Sequence, residues 1–210
     1  GRNLCLATVG SIWAVRIWDL DTGLEIPTNR AYQLTAGEED KRLYGLAALP
    51  DADGVRVAFA STYGKVMVAV HGSAIQQPRR RLRAYDTWWV PNSWDGYITS
   101  LAAVSDRDKL LLAAATESGS LALWDFRTGE ELAQCAGAHI GKVYALAFGA
   151  AGNEAVLASG GIDGVLRIWD LKLNKILEIE TGATIYSISW AGERLVAGDR
   201  PVVEDRLPVA

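Results

Sequence analysis

Apolar and polar residues alternate along this chain in short runs, each closed by a polar or glycine-bearing turn. The clearest runs share one form: LYGLAAL (Leu43–Leu49), ITSLAAV (Ile98–Val104), VYALAF (Val143–Phe148) and IYSISW (Ile185–Trp190). Apolar residues alternating with small or polar ones predict a strand with one packed face. No segment of useful length carries helical periodicity, and proline is scarce and confined to turns or strand edges, as antiparallel sheet requires. The pattern predicts an all-β chain.

The runs also repeat. The four segments begin 55, 45 and 42 residues apart. A second column is VRIWDLDTG at Val15–Gly23, LALWDFRTG at Leu121–Gly129 and VLRIWDLKLN at Val165–Asn174, with Trp18, Trp124 and Trp169 in phase. Self-similarity at such a period predicts stacked structural units. Within each unit a first strand (a) of the VYALAF type reaches a turn, as at Gly149–Asn153. A second strand (b) follows: LCLAT, VRVAFAS, LLLAAAT, VLASGG or RLVAG. A tight glycine turn leads to a third (c), carrying Trp-Asp, and a fourth (d) closes the unit: LEIPT, ELAQCA or KILEIE. The expected boundaries are 1–36 (partial), 37–97, 98–137, 138–182 and 183–210 (partial). The unit at 37–97 diverges: its third strand, Lys65–Val70, has Ala69 in place of Trp, and an insertion, 72–95, follows.

Four-stranded units of this length with Trp-Asp closing the third strand resemble WD-repeat β-propellers. The resemblance spans roughly Asn3 to Asp199 and is best over GAH (Gly137–His139), VYALAF, LASGG, IDG and RIWD. It implies four to five blades, an incomplete arc of a larger, seven-bladed type of ring. The chain starts at Gly1, nearly on a strand, and reads as cut from a longer protein, with missing blades or a second copy completing the ring. The resemblance also implies a hydrogen-bonded relay of His139, Ser159, Asp163 and Trp169. One relay satisfies an indole N–H, a buried hydroxyl and a partly buried carboxylate together. Ser, His and Asp also make a hydrolytic triad. However, Ser159 lies inside an apolar strand rather than on an exposed, strained turn, so the expected role is scaffold. The third unit has Ala114 and Ser118 at the Ser and Asp positions. The first keeps Thr8 but has Ile12 for Asp. Both are expected to rely on packing alone.

Composition narrows the function. Half of the 210 residues are hydrophobic, 22 % are charged, and the net charge is −4, which makes nucleic acid an unlikely main partner. No apolar run is long enough to span a bilayer. The two cysteines, Cys5 and Cys135, suit small apolar strand positions in a reducing compartment, and a cytoplasmic location is expected. His71, standing alone after a strand, is a turn or solvent-facing residue rather than a metal ligand, and Glu38–Asp40 is a solvated turn. No catalytic, metal-binding or cofactor-binding constellation is evident, and no cofactor is expected.

What remains is binding. The second position of strand a reads Tyr44, Thr99, Tyr144 and Tyr186. The resemblance places these near the channel opening, where rigid amphipathic side chains suit protein contacts. They could instead pack between blades. The insertion carries Arg79, Arg81, Trp88 and Trp89, a mixture suited to acidic peptides, phosphate or single strands, or simply to a solvated outer strand. The expected function is a non-catalytic protein-interaction scaffold or sensor within a larger regulatory protein, a setting that bacterial members of the family suggest. The alternatives are a propeller enzyme with its active residues in missing blades, and a phosphate or nucleic-acid module using the insertion.

Overall fold

The structure, a computed structural model, describes residues 5–9, 15–20, 22–26, 43–51, 54–61, 66–71, 96–152, 154–192 and 194–199. Among them every regular element is a strand, and all pairing within sheets is antiparallel. The first sheet holds β1 (Cys5–Val9), β2 (Val15–Asp19) and β3 (Glu25–Ile26). The second holds β4 (Leu43–Asp51), β5 (Gly54–Ser61) and β6 (Val66–His71). The third comprises β7 (Ile98–Asp106), β8 (Lys109–Thr116), β9 (Leu121–Asp125) and β10 (Glu131–Cys135). The fourth comprises β11 (Val143–Ala151), β12 (Glu154–Gly161), β13 (Val165–Trp169) and β14 (Lys175–Glu180). The last is β15 (Ile185–Ala191) with β16 (Arg194–Asp199).

Each sheet pairs its strands in chain order, so each is a meander. The first strands of the later sheets, β4, β7, β11 and β15, adjoin one another in sequence. These are successive blades of a β-propeller. One register recurs throughout: Leu6 faces Trp18, Val57 faces Ala69, Leu112 faces Trp124 and Leu157 faces Trp169. The divergent second blade therefore keeps the backbone of the repeat while dropping its indole.

The core lies between blades. One cluster joins Ala58 and Val66 of the second sheet to Leu101, Leu112 and Trp124 of the third. Another joins Leu111 and Leu123 of the third to Leu146, Leu157 and Trp169 of the fourth. Every residue of β8 after Lys109 is buried, because a middle strand is covered by a blade on each face. Close approach also constrains the backbone. A Cβ on Gly149 would overlap the Trp190 indole, which packs across β11 and donates its Nε1–H to Ala147 O at 3.3 Å.

Four expectations need correction. The turn placed at Gly149–Asn153 begins later: β11 runs on to Ala151, which pairs with Glu154. The third strand of the second sheet is Val66–His71, so His71 ends a strand, opposite Val55, instead of following one. The first blade does not rely on packing alone, since Trp18 Nε1–H donates to Thr8 Oγ1 at 3.1 Å. A hydroxyl there satisfies the indole without His or Asp. Nor does the third blade lack polar ties: Thr116 and Ser118 hydroxyls lie 2.9 Å apart, and Ser120 N–H donates to Thr116 Oγ1 at 3.1 Å.

Candidate functional site

Two groups of residues bear on function: a buried polar chain in the fourth blade and a surface column on the first strands. In the buried chain, β12 carries Ser159 and β13 carries Trp169. His139 precedes β11, and Asp163 stands in the β12–β13 turn. Trp169 Nε1–H donates to Ser159 Oγ at 2.7 Å, and Ser159 Oγ lies 2.7 Å from His139 Nε2. His139 Nδ1 lies 3.0 and 3.1 Å from the two Asp163 carboxylate oxygens. Ser159 is fully buried, and His139 and Trp169 nearly so.

His139 Nδ1 meets two neighbours of opposite demand: the Asp163 carboxylate, which only accepts, and Arg167 Nη1 at 2.8 Å, which only donates. The carboxylate favours a proton on Nδ1 and the guanidinium favours one on Nε2. In either tautomer the Ser159 oxygen accepts from the indole and pairs with His139 Nε2. Burial holds His139 below the ordinary imidazole range, although Asp163 pulls partly the other way. Burial alone would raise Asp163. Hydrogen bonds from Arg167, His139 and the Ile140 N–H outweigh it and hold the carboxyl below its ordinary value. The indole, hydroxyl, imidazole and carboxylate are all paired within the chain. Ser159 sits mid-strand, and its hydroxyl is held between the indole and a histidine that is itself pinned. The geometry is that of a tie between β12, β13 and the incoming loop.

The surface column rests on a repeated irregularity. The ladder between first and second strands slips between Leu43 and Gly45, Ile98 and Ser100, Val143 and Ala145, and Ile185 and Ser187. The residue left out of register is Tyr44, Thr99, Tyr144 or Tyr186 in turn. A bulge bends the strand and re-aims the unpaired side chain. Thr99 turns its hydroxyl to Ala115 O of its own sheet, at 3.2 Å, and to Val143 O of the next. Tyr144 meets Tyr186 with ring centroids 4.9 Å apart and planes tilted by 33°, and Tyr186 is half exposed. Thr99 thus stitches two blades together, while the two tyrosines form a surface pair. The Tyr44 side chain, and Arg79, Arg81, Trp88 and Trp89 entirely, lie outside the described residues.

The comparisons agree with this architecture. The WD40 family model, described as WD domain, G-beta repeat, matches residues 130–170. The chain carries a repeat of the WD40 family over these residues. The matched span runs from β10 through β13, so the family's repeat unit begins on the last strand of one blade and ends on the third strand of the next. Among relatives, the GATOR2 complex protein WDR24 of Danio rerio is 31 % identical over 93 residues, 43 % of this chain and 12 % of that protein. The serine-threonine kinase receptor-associated protein of Gallus gallus is 26 % identical over 148 residues, 68 % of this chain and 40 % of that protein. The chain thus spans well under half of either relative. A chain of the Mitotic Checkpoint Complex superposes with a TM-score of 0.63 at 19 % identity, covering 93 % of this chain and 53 % of that one. The computationally designed Ika8 protein gives 0.62 at 18 %, covering 95 % and 54 %. At such identities the two structures speak for the fold alone.

Sequence reasoning about the WD-repeat relay missed its outer members. Arg167 Nη1 donates to Asp163 Oδ2 at 2.7 Å, and its Nε donates to Glu178 Oε2 at 2.8 Å. Lys175 Nζ reaches the same Glu178 oxygen at 2.7 Å. Arg167 faces Glu178 across β13 and β14, a pairing readable from the register but not from the repeat alone. The relay therefore continues across the blade to its outer strand.

A cavity of about 420 Å³ opens elsewhere, lined by Asp106 and Arg107 from the third blade and Glu154, Asp170, Lys172 and Asn174 from the fourth. Its acid Asp170 is already committed, accepting from the N–H groups of Lys172 and Asn174 and the Asn174 amide, each at 2.8 Å. No group of His, Cys, Asp and Glu able to hold a metal occurs among the described residues. No described helix is long and apolar enough to cross a membrane.

Proposed function

We propose that this WD-repeat chain is a non-catalytic protein-interaction module, with partners contacting the surface formed by the bulged second positions of its first strands. The observation that carries the reading is the slip recurring at Tyr44, Thr99, Tyr144 and Tyr186, which in the fourth and last blades delivers two tyrosines side by side at the surface. Tyrosine offers large contact area at low entropic cost, which suits it to interaction hot spots. The relay supports the non-catalytic half of the reading, because its Ser and His are buried and committed to each other. The relatives lend further support: one is named as a protein of the GATOR2 complex and another as a receptor-associated protein.

The test is differential affinity capture with the whole chain and with Tyr144→Ala/Tyr186→Ala, followed by binding assays between purified components. A discrete partner that binds the wild-type chain directly and loses most of its affinity for the variant supports the reading. Ester, peptide or phosphoester turnover by the purified chain, abolished by Ser159→Ala, would overturn it.

A further inference from the structure

The loops around the tyrosine pair expose more apolar surface than the repeat needs. Ile140, next to the relay histidine, is 83 % exposed, and Ile162, in the β12–β13 turn, is 52 % exposed. The two belong to one patch. Ile162 N–H donates to Lys142 O at 2.9 Å, and its Cγ2 packs over Gly141, where a Cβ would stand 3.1 Å away. Ile140 N–H is held by Asp163 Oδ2 at 3.2 Å. The patch then continues through Lys142, whose ammonium lies 5.6 Å from the Tyr144 ring centroid, to Tyr144 and Tyr186. Single exposed apolar residues need no explanation, whereas two isoleucines contiguous with two tyrosines make a patch of the kind that marks contact sites.

Charge decides the occupant. Asp163, the acid of these same loops, is taken up by His139, Arg167 and the N–H groups of Ile140 and Val165. Lys142 therefore presents its positive charge beside an apolar floor, with the local acid turned inward. We infer that this patch docks a protein segment that carries an aspartate or glutamate beside a large apolar side chain. The apolar anchor would sit on Ile140, Ile162 and the tyrosines, and the carboxylate would meet Lys142. A desolvated apolar floor strengthens such an ion pair relative to one in open water, and a basic segment would be repelled. The inference rests on the proposed interaction function and names the partner's chemistry on that surface.

The probe is a displayed library of random linear peptides selected on the full chain, with binders remade and measured by fluorescence anisotropy. The inference expects selected peptides to place Asp or Glu beside Leu, Ile, Phe or Trp. Ile140→Ser/Ile162→Ser should weaken them at least about tenfold, the loss typical of removing interface anchors. Selection on Lys142→Glu should instead recover Lys or Arg at the acidic position. Leu177→Ser, about half exposed on the outer strand β14, should leave binding unchanged, and circular dichroism should show all variants folded. Peptides without acidic preference, or peptides unaffected by the isoleucine and lysine changes but lost with Tyr144→Ala/Tyr186→Ala, would overturn the inference and leave the interaction reading standing. Peptides bound equally by every variant, or a selection that yields no binder at all, would count against both.

Discussion

The third and fourth blades share one backbone and hold it together in different ways. Both have four strands, the same Leu–Trp register and a middle strand buried along nearly its whole length. The third fills its middle with Leu110 to Ala115, apolar throughout, and ties the end of that strand, Thr116, to Ser118 and to the Ser120 N–H in the turn beyond. The fourth puts Ser159 at the position of Ala114 and runs polar contacts from Trp169 to Arg167 and Glu178. A blade forms without a Ser-His-Asp relay reaching its middle strand. The relay adds something narrower: it fixes the loop at His139 and the turn at Asp163, which are the two segments that present Ile140 and Ile162. The geometry of the surface patch depends on a buried network that the third blade does without.

The comparison breaks most sharply at the indoles. Trp124→Ala and Trp169→Ala each empty a buried aromatic site between blades, and each should cost about 3–5 kcal/mol in denaturant unfolding. Only Trp169→Ala also leaves Ser159 Oγ without its indole donor. Equal loss of order at Ile140 and Ile162 in both variants, by hydrogen exchange, would show that the relay does not specifically hold those loops.

A finer test keeps the packing. Ser159→Ala removes one oxygen, leaving the Trp169 N–H and His139 Nε2 without their partner in a dry site, at about 1–3 kcal/mol. A double-mutant cycle with Trp169→Phe should return a coupling of about 0.5–3 kcal/mol. Additive effects would mean that the short Trp–Ser contact is not an energetic link.

Acid should separate the blades as well. His139 is held below its ordinary value of 6.5 in the folded chain. A group that is easier to protonate when unfolded lends stability that is complete above about 6.5 and is lost as pH falls from there toward the depressed folded value. Asp163, held below 3.8, adds a second loss as pH falls below about 3.8 and toward its own folded value. Stability measured against pH should therefore decline on acidification from near 6.5, and His139→Gln should flatten the upper part of that decline. An unchanged slope in the variant would assign the acid sensitivity elsewhere.

How much of this was legible in the sequence varies with the kind of contact. The strands, their order and the Trp register follow from alternation and repeat phase, because both are local. The relay of His139, Ser159, Asp163 and Trp169 came from resemblance, and the structure brings those four residues together. Arg167 and Glu178 were missed because their pairing depends on register across β13 and β14. The bulges were missed for a different reason: the first strands were read as plain alternation. Yet Val143 and Leu146 share a face of the core, as do Ile98 and Leu101, three residues apart where a flat strand demands two. That extra residue was the available signal. The insertion's Arg79, Arg81, Trp88 and Trp89 lie outside the described residues, so their role rests on sequence alone.

The smallest expected effect concerns the turn after Trp-Asp, where the two blades differ by one residue. In the third, Asp125 N–H bonds Glu130 O, and Gly129 takes a positive φ of 75°. In the fourth, Asp170 N–H bonds Asn174 O, and the positive φ, 58°, falls on Leu173. A leucine in that region costs roughly 1–2 kcal/mol of backbone strain, which glycine would relieve. Yet Leu173 is buried in the same cluster as Leu111 and Leu123 of the third blade. Burying a leucine side chain contributes about 1.5–3 kcal/mol, so the contact outweighs the strain it imposes. Leu173→Gly should therefore destabilise the chain by about 1 kcal/mol. The sign is the informative part, because strain relief and lost burial act in opposite directions. If the glycine variant unfolds at higher denaturant than wild type, the shorter turn is a defect that the fold tolerates. If it unfolds at lower denaturant, the fourth blade accepts a strained turn because its leucine closes the seam with the third.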